Sequence, residues 1–223
     1  MGTFRVNPMI RRLARLFAVL AIPLVLSACG ANTIPTLEEQ AKAKWADVQN
    51  DYQRRSDLIP NLVATVQGYA KQERAVLDEV TQARASATQV KVDASTLTDP
   101  AAMAKYAQAQ NQLSGVLGHL LSISENYPDL KSNQNFLVLQ SQLEGTENRI
   151  AVSRRDYNEA VRAYNLSLHT FPGVLWASTL YKNEKALTPF EASATAQTAP
   201  TVKFDLGPAP GATPAASTPA PAK

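Results

Sequence analysis

The sequence predicts an all-α fold: an elongated antiparallel bundle of three long helices, the first kinked near Pro60, plus a short fourth helix. Three seven-residue rows carry that expectation. Phe136, Leu143, Ile150, Tyr157 and Tyr164 form one row, and the positions three further on hold mostly small groups, Leu139, Thr146, Ser153, Ala160 and Ser167. Trp45, Tyr52, Ile59, Val66 and Val80 share a second register, with Glu73 its one charged member. Tyr106, Leu113 and Leu120 share a third. Residues that repeat by seven line one side of a helix, and a broad apolar side must be buried against other helices.

The first helix is expected over 36–88. Thr36 with Glu39 three residues on reads as a capping box. Val48, Leu62, Tyr69 and Val76 make a companion row in which Arg55 is the exception. Pro60 falls inside this run; a proline removes one helical hydrogen bond and crowds the preceding turn. The register passes through it in phase, which favours one kinked helix over two helices with a reversal. The competing arrangement has Asp57 capping a restarted helix with Pro60 in its first turn.

Residues 90–98 are polar and irregular. Asp99-Pro100 then reads as the cap and first-turn proline of a second helix, which runs to about Ser124 with Ala109, Val116 and Ile123 beside its main row. Pro128 enforces a turn, and Ser132 or Asn133 caps the third helix, which would be roughly 55 Å long at 1.5 Å per residue. Short connections between long helices make antiparallel neighbours. Phe171-Pro172-Gly173 ends the third helix, and 174–180 is the short fourth. The bundle is thus placed at 36–190. Residues 191–223 collapse into Ala, Thr, Pro, Ser and Gly and are expected to be a disordered tail. Within it Val202-Lys203-Phe204-Asp205-Leu206 is an apolar island that could dock on the bundle or stay free.

Residues 1–28 read as a lipoprotein signal peptide. Arg11, Arg12 and Arg15 form a positive n-region, and Leu16 to Leu26 is a short apolar run. Leu26-Ser27-Ala28-Cys29-Gly30 resembles the lipobox of bacterial lipoproteins. That resemblance implies cleavage before Cys29 and acylation of its sulfur and its new amine, with 29–35 a lipidated linker. Acyl chains contribute roughly 0.8 kcal/mol per buried CH₂ group, enough together for stable anchoring. The uninterrupted apolar run falls short of the about 20 residues that a span requires. The expected location is the bacterial cell envelope, lipid-anchored, on the periplasmic or outer-membrane side; Gly30, where an Asp would signal inner-membrane retention, leans toward the outer membrane.

The full chain carries a formal charge of +3, but residues 1–28 hold Arg5, Arg11, Arg12 and Arg15 and no acid. Without those four, 18 basic side chains face 19 acidic ones, a formal charge of −1. So near-neutral a chain has no electrostatic footprint for nucleic acid. One Cys forbids an intramolecular disulfide.

Several separated segments resemble the LemA family in order: RRSDLIPNLV (Arg54–Val63), GYA (Gly68–Ala70), ENYPDLK (Glu125–Lys131), LEGTENRI (Leu143–Ile150), YNEAVRAYN (Tyr157–Asn165) and FPG (Phe171–Gly173). The resemblance covers roughly 37–190, and VKFDL resembles the family's C-terminal end. It implies a membrane-anchored, extended helical-bundle domain outside or at the membrane surface. It implies fold and place more than mechanism. The chain departs from the family pattern in carrying a lipobox where typical members carry a transmembrane helix.

Chemistry-bearing patterns are few. The two histidines, His119 and His169, stand alone, and no ligand cluster has metal spacing, so neither metal nor cofactor is expected. No Gly-rich phosphate loop follows a strand, and no strands are expected. Glu144, Glu147 and Asp129 could pair as carboxylates, but adjacent acids on a long helix usually form a solvated face. The polar residues inside the matched motifs are the unusual feature. Arg54, Arg55, Asp57 and Asn61 cluster around Pro60; Glu147, Asn148, Arg149 and Arg154 lie beside the third seam; Asn158 and Asn165 repeat by seven. In one reading Arg54, Asp57, Asn61, Glu147, Arg149 and Arg154 form a structural network that fixes helix register. In the other they line a polar groove for a partner or ligand. Gly145 costs about 1 kcal/mol against Ala within a helix, which suggests close approach of another backbone.

The resulting expectation is a non-catalytic scaffold or adaptor, held to a membrane by lipid on Cys29. The alternatives are an envelope enzyme with a site in a polar inter-helix groove, or a carrier of a hydrophobic ligand. The helix lengths leave 36–51 overhanging toward the anchor, with Leu37, Ala41, Trp45 and Val48 at helical spacing. An apolar stripe meeting only water marks an interaction site. It would bind a second copy or an unknown envelope protein, with Trp45 as anchor residue. The bland alternative is that 174–206 fold back and cover it.

Overall fold

The computed structural model describes residues 30–191. The chain forms α1 (Thr33–Tyr69), α2 (Arg74–Gln89), a 3₁₀ turn (Ala94–Thr96), α3 (Pro100–Ser124), a one-turn α4 (Pro128–Lys131), α5 (Gln134–His169) and α6 (Gly173–Thr179). The described residues are all-α and contain no strand. Residues 1–29, which hold the expected signal peptide and Cys29, and residues 192–223, which hold the VKFDL island, lie outside them.

Helix starts follow local chemistry. Asp99 caps α3 by accepting from the Ala101 N–H, with Pro100 in the first turn, and Asn133 caps α5 by accepting from the Phe136 N–H. The Thr36–Glu39 pair does not cap. α1 starts three residues earlier, at Thr33, and the Thr36 hydroxyl donates to the Asn32 carbonyl inside the first turn. The linker assigned to 29–35 is correspondingly short.

A single first helix over 36–88 is not what forms. α1 runs through Pro60 and ends at Tyr69; the chain reverses across 70–73, and α2 returns along α1. Arg84 of α2 donates to the Ser56 carbonyl at 2.8 Å. Ser56 is the residue whose carbonyl the missing Pro60 N–H would have bonded, so α2 supplies the donor that proline lacks. The reversal sits at Gly68–Glu73, where every residue but Tyr69 is polar or small.

α1 and α5 pack along their lengths in one antiparallel register. The Asn133 amide donates to the Tyr69 hydroxyl; fourteen residues along both helices Arg55 pairs with Glu147; ten further on, Trp45 packs on Tyr157. α3 runs parallel to α1, as Tyr52–Tyr106, Arg55–Gln110 and Glu73–Tyr127 contacts hold a nearly constant offset.

Two apolar cores result. In the half near Tyr69, Ile59, Leu62 and Val66 pack with Leu77 and Val80 of α2, Leu113 and Leu120 of α3, and Phe136 and Leu143 of α5. In the half near Thr33, Ile34, Trp45, Val48 and Tyr52 pack with Tyr106, Ile150, Tyr157 and Tyr164, and with Leu187 and Phe190. These last two come from a segment after α6 that turns back and runs alongside α5 without regular structure. Every member of the first heptad row of α5 is buried.

Candidate functional site: a polar layer and an asparagine clamp

Arg55 stands between the two cores and is 1% exposed. It occupies the companion-row position of α1 that should hold an apolar residue, one heptad after Val48 and one before Leu62. Its Nη1 donates to Glu147 Oε1 at 2.7 Å and to Ser114 Oγ at 2.5 Å. Its Nη2 donates to the side chain and carbonyl of Gln110 at 2.7 and 3.2 Å, while Gln110 Nε2 donates to the Ala87 carbonyl. One guanidinium thereby ties α1 to α3 and α5, and Gln110 passes the link on to α2. Its face also rests over the Tyr52 ring, 5.0 Å from the centroid. The Arg55 Nε and the Ser56 hydroxyl are buried without partners.

Of the six residues expected to form this network, Glu147 alone enters it. Arg54, Asp57, Asn61 and Arg149 are exposed. Asp57 accepts from Gln53 one turn away. Arg154 belongs to a second cluster: its guanidinium lies 4.7 Å from the Phe190 ring centre. Gly145 is not a close approach either. A Cβ there would meet no atom within 4 Å, whereas one on Gly173 would fall 2.0 Å from the Ser167 carbonyl oxygen.

The second cluster explains Asn158 and Asn165. Each side-chain amide grips both main-chain groups of one residue in the returning segment. Asn165 donates to the Leu187 carbonyl at 2.8 Å and accepts from its N–H at 2.9 Å; Asn158 does the same for Phe190 at 3.0 and 2.8 Å. Spacing by seven puts the two amides on one face of α5, so they read an extended chain as the edge of a sheet would. The Tyr157 hydroxyl donates to the Thr188 carbonyl, and the Thr188 N–H to that of Leu97.

This returning segment covers the stripe expected to bind a partner. Ala41 and Val48 are fully buried, Leu37 is half-buried, and Trp45 is 2% exposed. The Trp45 Nε1 donates to the Val92 carbonyl at 2.8 Å, and its ring packs on Tyr106, Tyr157 and Phe190. The overhang does not exist, because the reversal at 70–73 brings 90–97 down beside Trp45 and 181–190 closes the other side. Ala41, Trp45 and Val48 are core with Leu37 packed against them, so they offer no docking stripe.

Two concavities flank the polar layer. A cavity of about 190 Å³ lies among α1, α2 and α3, lined by Tyr52, Ser56, Lys91, Asp93, Tyr106 and Gln110 among others. An open groove of about 520 Å³ lies between α1 and α5, and seven of its eight lining residues are polar or charged, Asp47, Asp51, Arg149 and Asp156 among them. Burial raises the Tyr52, Tyr106, Tyr157 and Tyr164 hydroxyls above the ordinary phenol range, with Glu184 adding to the effect at Tyr164. They stay protonated near neutral pH and cannot serve there as bases. Among the described residues no group of three His, Cys, Asp or Glu side chains could hold a metal ion, and no helix is long and apolar enough to cross a membrane.

Fold and site together define an all-α bundle protein whose buried polar groups hold helices in register and a C-terminal segment in place. The chain belongs to the LemA family, whose model matches residues 44–204. It is 25% identical over 157 residues to each of the magnetosome proteins MamQ 1 and MamQ 2 of Paramagnetospirillum magneticum, a match covering 63% of this chain and 58% of either relative. It is 26% identical over 124 residues to the protein LemA of Metamycoplasma hominis, covering 56% of this chain and 52% of that one. The chain therefore spans little more than half the length of the curated relatives it matches.

Proposed function

We propose that this protein is a membrane-anchored, non-catalytic helical scaffold of the bacterial cell envelope, tethered through lipid on Cys29. The observation that carries the non-catalytic part is the state of its polar centre. All four Nη hydrogen bonds of Arg55 go to the chain's own acceptors, and the asparagine amides are spent on its own backbone. Catalytic groups need the opposite, donors and bases facing a place where a substrate can sit.

The lipobox-like Leu26–Gly30 supports the tether, and α1 starting at Thr33 keeps the bundle within a few residues of it. The test is the intact mass of the membrane-bound form together with fractionation of a Cys29→Ser variant. The expected results are a chain beginning at acylated Cys29 and loss of that modification in the variant. An unmodified Cys29 in the membrane fraction overturns the tether. Photo-crosslinking in intact cells, with capture of a defined envelope protein or a second copy, tests the scaffold role; turnover by the purified chain overturns it.

A further inference from the structure

We propose that the corner formed by the end of α5 and by α6 is a second membrane contact, which seats the bundle end on in the lipid interface. Residues 171–180, Phe-Pro-Gly-Val-Leu-Trp-Ala-Ser-Thr-Leu, contain no charged side chain. α6 turns Trp176 and Ala177 inward against the core near Thr33 and leaves Val174 and Leu175 outward. Phe171 is 78% exposed and Leu180 66%, and Leu166 just before them is exposed as well. Scattered exposed apolar residues are ordinary, but five within fifteen residues at one end of a bundle form a patch that water does not favour.

What covers this patch follows from where the chain comes from. The start of α1 and the end of α5 share one end of the bundle, and a Cβ on Gly30 would lie 2.9 Å from Pro172 Cγ and 3.4 Å from Trp176 Nε1. The corner is thus packed against the residue that follows Cys29. Upstream lies the apolar run Leu16–Leu26. Whichever apolar group enters the bilayer from that point brings the corner to the surface with it. An uncharged stretch with exposed aromatic and aliphatic side chains suits the interface, where amphipathic elements sit about 5–10 Å deep. The occupant is therefore a lipid surface, recognised by apolar insertion rather than by charge.

The inference rests on the tether proposed above, and its test separates the two. The full chain carrying Leu175→Cys, labelled with an environment-sensitive fluorophore, is reconstituted into phosphatidylethanolamine–phosphatidylglycerol vesicles containing doxyl-labelled lipid. A Lys71→Cys chain labels the opposite end. Insertion at the interface depth predicts at least about fivefold stronger lipid quenching at 175 than at 71, and loss of most of that difference when Phe171→Glu is added. Phe171 is surface, so that change leaves the helical content intact, which circular dichroism checks. A chain that stays with the vesicles but shows no quenching at 175 overturns the contact and leaves the tether standing. Quenching at 175 in a chain that also carries Cys29→Ser, and so has neither acyl group nor second thiol, supports the contact as one that does not need the lipid tether. Equal quenching at both ends overturns the contact. So does shielding from aqueous iodide without doxyl quenching, which would mean that a protein or the C-terminal tail covers the corner.

Discussion

Replacing Asn165 with Ala should release the returning segment without unfolding the bundle. The side chain makes two hydrogen bonds, both to Leu187, and each is worth about 0.5–1.5 kcal/mol net. Their loss removes about 1–3 kcal/mol from the local docking free energy, while the Leu187 groups regain water when the segment lifts. Because about 1.4 kcal/mol is a factor of ten, the Leu187 amide should exchange with deuterium about 5- to 150-fold faster. The Phe190 amide, held by Asn158, should follow in part through the shared segment. Amides of α5 around Phe136 and Leu143, in the other core, should not change. Trp45 emission gives a second readout, since Phe190 lies 5.6 Å from its ring. If exchange rises equally in both cores, the segment is part of one cooperative unit and the clamp argument fails. If Leu187 is unaffected, the amide bonds contribute nothing to docking.

Glu147→Gln should destabilise the bundle by about 2–4 kcal/mol in urea unfolding, since it strips a fully buried guanidinium of its anion, whereas Arg55→Met should cost less, about 1–3 kcal/mol, because Glu147 is 44% exposed and water can take it while the buried Gln110 side-chain oxygen loses its donor. Equal costs would mean that the ion pair itself is a net gain. Gly145→Ala fills open space on a helix and should stabilise by about 0.5–1 kcal/mol; Gly173→Ala meets a backbone carbonyl and should cost about 1–3 kcal/mol or more. The four buried tyrosines have folded pKa values raised by burial, so their protonated state is favoured by folding. That contribution is fully present below about pH 10 and is lost as pH rises beyond it, so stability followed by circular dichroism should fall above about pH 10 and be insensitive to these groups near neutrality.

Much of this architecture was legible in the residues, and the failures share a cause. The rows of α3 and α5 and the caps Asp99 and Asn133 are local features, and local chemistry decides them. Periodicity reports which face of a helix is buried and is blind to what buries it. Glu73 and Val80 stay in phase with Tyr52, Ile59 and Val66, and Val76 with Leu62 and Tyr69, although the chain reverses between them; Gly68 and the Lys71-Gln72 pair are the weak signals of a turn. The cover over Trp45 is an irregular segment held by side chain–to–backbone bonds, which leave no period to detect. Asn158 and Asn165, seven apart on the seam, were visible, but their partner was not. Arg55 could have been preferred to Arg54 on register alone, because it falls in the buried companion row.

The matched register of α1 and α5 has a mechanical consequence. α1 is 37 residues long, which sets its ends about 55 Å apart at 1.5 Å per residue. Gly30 and α6 occupy one end, and Tyr69, with its bond to Asn133, closes the other. Residues 70–132 leave and rejoin this pair at that one far point. The two paired helices act as a spacer of fixed length, braced at mid-height by one arginine. A partner gripping the far end would be held at a set height above whatever holds the near one.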